Sequence, residues 1–113
     1  VRAAAALALC SHPHESAIPA LIRSLADEDS LTAGLAANAL VLVGGAAAPP
    51  LLELMENAPA NVRILALRAL AELRDHRAIP TMMKCLNADS ALLQYWAREG
   101  LTRLGLDMVY VKP

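Results

Sequence analysis

Cys10, Ser11, His12, His14 and Glu15 crowd into one short stretch of the chain. A thiol or hydroxyl beside an imidazole can act as a nucleophile with its general base. Two imidazoles and a carboxylate can ligate a transition metal. Neither set is complete. A nucleophile also needs a group that orients the base, and donors for the developing oxyanion; a single turn supplies no such pocket. A metal would have His12 and His14 with only Glu15 as a third ligand, since the remaining histidine, His76, lies far along the chain. Cys85 stands in a helical stretch with no His and acid set around it. Gly44-Gly45 lacks the spacing of a phosphate-binding loop and reads as a helix terminator. These residues predict no catalytic group, no cofactor and no metal, and thus a non-enzyme.

The elements that would position any site are set by a repeat. Residues 1–25, VRAAAALALCSHPHESAIPALIRSL, recur as VRILALRALAELRDHRAIPTMMKCL over residues 62–86. A further copy lies between them, with Pro49-Pro50 where Ile-Pro is expected, so the period is about 30 residues, which marks stacked helical hairpins. The predicted fold is all-α, an α-solenoid. It is one domain over 1–113, with repeats at about 1–29, 30–59 and 60–90 and a partial capping repeat over 91–113. In the third repeat Asn61 is the expected N-cap, Val62, Ala66, Ala69, Leu70 and Leu73 form a buried stripe, and Asp75-His76-Arg77 is the turn. Pro80 opens the second helix, where its missing N–H costs nothing. Ile79, Met82, Met83 and Leu86 give the second stripe. In the first repeat, His12 takes the place held by Val43, Leu73 and Leu104 in the others, at a helix end. Trp96, Tyr95 and Tyr110 provide bulk for the terminal cap. Ala3 to Ala6 leave an apolar face without a neighbour, which predicts either a preceding repeat or self-association.

Composition agrees. Apolar residues make up 57% and aromatics 3%, with no Phe, which suits thin helices packed through Ala and Leu. The net charge of −1 gives no global field toward nucleic acid or a membrane surface. Residues 1–59 are net acidic and 60–113 net basic, a difference read as solvated charge or as a guide for docking. Cys10 and Cys85 fall two repeats apart, too far to pair, and are expected reduced in a cytoplasmic protein. Residues 33–52 carry no charge, but Gly44-Gly45 and Pro49-Pro50 interrupt them in register with their neighbours, so no membrane span is expected.

The repeats resemble the HEAT-like units of the phycobilisome lyase type, on Val62-Arg63, Ala66, Ala69-Leu70, Leu73, Asp75, Ala78-Ile79-Pro80, Met83 and Leu86. The first unit carries the same pattern at Val1-Arg2, Ala5-Ala6, Ala8-Leu9, Ala17-Ile18-Pro19, Ile22 and Leu25. The resemblance covers about residues 1–105 and implies about three and a half HEAT-like repeats. In this family the Arg after Val pairs with acidic residues between repeats, which implies a partner for Arg63 in the preceding loop. That Arg is absent from the second unit, and Gln94 replaces it in the fourth. The family includes proteins that attach or remove bilins. A related iron-dependent hydroxylase needs several His-Glu pairs, of which only His14-Glu15 is present, and a related DNA glycosylase class needs a basic concave face.

The leading expectation is therefore a protein-interaction scaffold. The second helices of such solenoids usually line the concave face, and their outward positions include Arg23, Glu53, Leu54, Lys84 and Cys85, an apolar centre with charges around it. The expected partner is another protein, or another domain if the chain is part of a longer protein. The alternative is a subunit of a bilin lyase or another chromophore-handling enzyme, acting with a second HEAT-like subunit.

Overall fold

The structure, a computed structural model, describes residues 15–105. The expectations at Ala3 to Ala6, Cys10, Ser11, His12, His14 and Tyr110 lie outside these residues. Among the described residues there are six α-helices and no strand: α1 (Ile18–Ser24), α2 (Ser30–Val43), α3 (Ala48–Asn57), α4 (Ala60–Leu73), α5 (Ile79–Cys85) and α6 (Ala91–Arg103). The molecule is elongated, 50 × 24 × 19 Å. This is the all-α solenoid that the repeat predicts.

Each second helix starts the same way. A 3-10 turn (Glu15–Ala17, Gly45–Ala47 or His76–Ala78) runs directly into α1, α3 or α5, and proline occupies the first turn of each helix. Pro19, Pro49-Pro50 and Pro80 have their φ preset for helix and give up an N–H that would have no partner there. First helices start differently. Asp29 caps α2: its Oδ1 accepts from Leu31 N at 3.1 Å and its Oδ2 from the Thr32 hydroxyl at 3.0 Å. Ser90 caps α6 through Leu93 N at 3.3 Å. The Asn61 cap is not made. Pro59 is the flanking residue of α4, extended at φ −63° and ψ 164°, and its carbonyl accepts from Arg63 N at 2.9 Å. Proline fixes the chain in extended form one residue ahead of the helix, so Asn61 is already inside the first turn.

Helix ends turn through left-handed backbone. Gly44 has φ 97° after α2 and Gly105 has φ 82° after α6, while Arg74 takes φ 55° after α4. Glycine adopts such angles without a Cβ penalty; at Arg74 the following 3-10 turn holds the geometry, with Asp75 capping it through Arg77 N at 2.9 Å.

The closest packing does not follow the sequence hairpins. The first helices α2, α4 and α6 stack directly on one another, and each second helix packs on the first helix of the next unit: α1 on α2, α3 on α4, α5 on α6. Small residues allow this. Ala33, Ala36, Ala37, Ala39, Ala66, Ala69, Ala71, Ala97 and Gly100 are buried in the stack. Leu21, Leu40, Leu51, Leu67, Leu70, Met82 and Leu101 fill the space beneath, each fully buried. Leu67 and Ala71 widen the buried surface of α4 beyond one stripe, because α4 has neighbours on three sides. Met83 leaves its expected stripe and is exposed, and Cys85 takes the buried place. Among the described residues no helix is long and apolar enough to cross a membrane.

Candidate functional site

Because the second helices pack on first helices and not closely on each other, the face they form is open. Two adjoining depressions lie on it. One, of about 570 Å³, runs between α3 and the start of α5, lined by Pro49, Pro50, Leu52, Glu53, Glu56, Arg77 and Thr81. The other, of about 240 Å³, sinks between α3, α4, α5 and α6, lined by Met55, Glu56, Arg63, Thr81, Lys84, Cys85, Ala88 and Leu93. Glu56 and Thr81 belong to both.

The larger groove ends at a clasp. Arg77 binds both carboxylate oxygens of Asp75, with contacts of 2.6–3.2 Å, and its Nη2 donates to the carbonyl of Gly45 in the preceding unit at 2.9 Å. The side-chain hydrogen bond from Arg77 holds the Asp75 carboxyl below its usual range. A planar guanidinium can grip carboxylate and carbonyl together, so this pair fixes the turn of one unit against the turn of the next. The rim of the smaller pocket carries the Lys84 to Glu56 pair, at 3.7 Å and well exposed.

The floor of the smaller pocket is unusual. Arg63 occupies the position where the second unit has Thr32 and the fourth has Gln94. Those two are satisfied locally, Thr32 by Asp29 and Gln94 by donating to the carbonyl of Ala88. Arg63 finds no acid from the preceding loop, contrary to the implied pairing, and its buried Nε has no hydrogen-bond partner. Arg68 also has a buried Nε without a partner, but its Nη2 donates to Asn38 Oδ1 at 2.9 Å. Cys85 lies beside Arg63 as a buried free thiol. Burial pushes this thiol up from its ordinary range, and the positive charges of Arg63 and Lys84 oppose the shift.

The five positions expected on this face separate. Glu53 lines the larger groove, and Lys84 and Cys85 line the smaller pocket. Leu54 packs against the core and lines neither. Arg23, exposed on α1, also lines neither. Arg63 and Leu93 were missed because they belong to first helices; the close packing of a second helix on the next first helix brings them to this face. The signal for Arg63 was present: it is the arginine of the family pattern, as Arg2 is in the first unit, and the short loop before it, Ala58-Pro59, offers no acid. Among the described residues no three His, Cys, Asp or Glu are grouped to hold a metal.

The sequence profile of the family described as HEAT repeats matches residues 1–61 and 48–109. The chain belongs to the HEAT-repeat family. Within it, the chain is similar to the phycocyanobilin lyase subunit beta of Pseudanabaena tenuis (strain PCC 7409), 40% identical over 78 residues. That match covers 69% of this chain and 28% of the relative. The expectation of a non-enzymatic scaffold is thereby corrected: this HEAT-repeat chain resembles a lyase subunit.

Proposed function

We propose that this HEAT-repeat chain handles a bilin chromophore as part of a lyase, together with another protein subunit. The observation that carries this reading is the 40% identity to a phycocyanobilin lyase subunit over 78 residues. The geometry supports it. The two depressions have volumes of about 570 and 240 Å³, in or near the range of small-molecule sites. Proline and leucine walls suit a flat apolar body, while Arg63 and Lys84 suit negatively charged side arms. Glu53, Lys84 and Cys85 are the residues of the expected face that border these depressions. The chain spans 28% of the length of its relative, so attachment or removal of the chromophore is assigned to the assembled lyase and the holding of it to these repeats.

The test is spectroscopic. Purified chain is mixed with phycocyanobilin, alone and with candidate HEAT-repeat subunits, and the visible spectrum of the bilin is recorded. Binding should shift and sharpen the absorption, since an open-chain tetrapyrrole changes colour when its conformation is fixed. An unchanged spectrum in every mixture would refute the reading.

A further inference from the structure

The smaller pocket combines features that the lyase resemblance does not explain. It is the place where a family-position arginine has lost its partner. Arg63 Nε is shielded from solvent and unbonded, a state that is unfavourable for a donor on a charged group. Around it stand the Thr81 hydroxyl, the Cys85 thiol and the Lys84 ammonium, all able to donate, against the single carboxylate of Glu56. Glu56 is drawn outward to Lys84 at 3.7 Å, with both side chains well exposed. Met55, Ala88 and Leu93 supply apolar walls. At about 30 Å³ for a water molecule, the volume of about 240 Å³ accepts a short carboxylate arm and not a whole chromophore. The larger groove adjoins it through Glu56 and Thr81.

We infer that the pocket is a carboxylate subsite, in which Arg63 receives the acid arm of a ligand whose flat apolar body lies in the groove between α3 and α5. This rests on the proposed bilin-handling role and adds which part of the ligand is recognised and by which residue. Arg63 is the main ligand because its side chain lines the pocket and its Nε has no partner in the protein. Lys84 screens the charge at the rim, and Glu56 is the competing anion that the arm displaces from the mouth.

Two titrations test this. In the first, phycocyanobilin and its dimethyl ester are each titrated against the full chain and against Arg63→Met and Arg63→Lys. The free acid should bind more tightly than the ester, and Arg63→Met should weaken the acid by roughly 10-fold or more while leaving the ester unchanged, as loss of a hydrogen bond to a charged group implies. Arg63→Lys keeps the charge and should fall between, so the series stays readable if the methionine variant does not fold. Glu56→Gln should tighten the acid. Equal binding of acid and ester, or an affinity for the acid indifferent to Arg63, would overturn the subsite and leave the bilin reading standing. In the second, butyrate is titrated by NMR while the methyl signals of Met55 and Leu93 are followed. Shifts that vanish in Arg63→Met support the subsite even if the bilin itself does not bind. No shift of either methyl at high butyrate would overturn it.

Discussion

The stack of first helices and the row of second helices are built from the same repeat and behave differently. In α2, α4 and α6 alanine and glycine occupy the contacts, the backbones approach closely, and the interior is filled by fully buried leucines. In α1, α3 and α5 the contact is with the next first helix, so neighbouring second helices stand apart and depressions remain between them. One side of the chain is closely packed and buried, as protein interiors are. The other keeps charged groups and open volume. Stability is expected to reside in the first side and the proposed recognition in the second, and substitutions should sort accordingly.

The largest expected effect tests the packed side. Leu70→Ala removes a fully buried side chain from the last turn of α4, a helix with neighbours on three sides, and should cost about 2–5 kcal/mol. Met83→Ala, on the exposed face of α5, should change stability by no more than about 0.5 kcal/mol. Denaturant midpoints with unchanged slopes would show the contrast. Equal losses at the two positions would break the division.

A smaller effect probes how close the stack is. A Cβ added at Gly100 would lie 2.6 Å from Met82 Cε, 2.7 Å from Met82 Sδ and 3.1 Å from Ala71 Cβ. Met82 has a flexible tip but is fully enclosed, so it must displace others to yield. Gly100→Ala should destabilise by about 1–3 kcal/mol, partly offset by the gain in helix propensity. In the double variant with Met82→Ala the two costs should be less than additive. Strict additivity would mean the clash is relieved elsewhere.

The next effect lies where the two sides meet. The Cys85 thiol is pushed up by burial, whereas in the unfolded chain it ionises in the ordinary range. Stability from keeping it neutral is intact below that ordinary value. It falls as the pH rises through it, toward the raised folded value, because only the unfolded state gains by ionising. Unfolding measured from pH 7 to pH 10 should thus show a steeper decline for the wild-type chain than for Cys85→Ala. A parallel decline would place the thiol in contact with solvent.

The helix boundaries and the buried stripe were more legible in sequence than the site. Pro19, Pro49-Pro50 and Pro80 mark the start of each second helix, Gly44 and Gly105 mark helix ends, and the Val62, Ala66, Ala69, Leu70 spacing gives the buried stripe, because these depend on local backbone rules and on periodicity. The site was less legible because it depends on which helices touch. A hairpin read from the repeat pairs each second helix with the first helix before it. The chain instead packs it on the one after, and this brings Arg63 and Leu93 to a face expected to hold only α1, α3 and α5. Cys85 and Met83 show the same limit: a rotation of one residue on a short helix exchanges core for surface, and the sequence pattern tolerates either.

The smallest expected effect belongs to the open side alone. Lys84 and Glu56 bridge α5 and α3 at 3.7 Å, with side chains 75% and 61% exposed. Two long side chains held in one geometry lose rotamer freedom for an attraction that water weakens, and exposed pairs are worth about 0–1 kcal/mol. Glu56→Gln should therefore lower stability by no more than that. Any loss should vanish in about 1 M salt, where the screening length is near 3 Å. The same substitution removes the one carboxylate beside Arg63, so its effect on carboxylate binding should exceed its effect on folding. Denaturation at low and high salt, set beside the bilin titration of the same variant, separates the two. A loss well above 1 kcal/mol that survives salt would show that the second-helix row is held together across its face, and the contrast with the alanine-packed stack would fail.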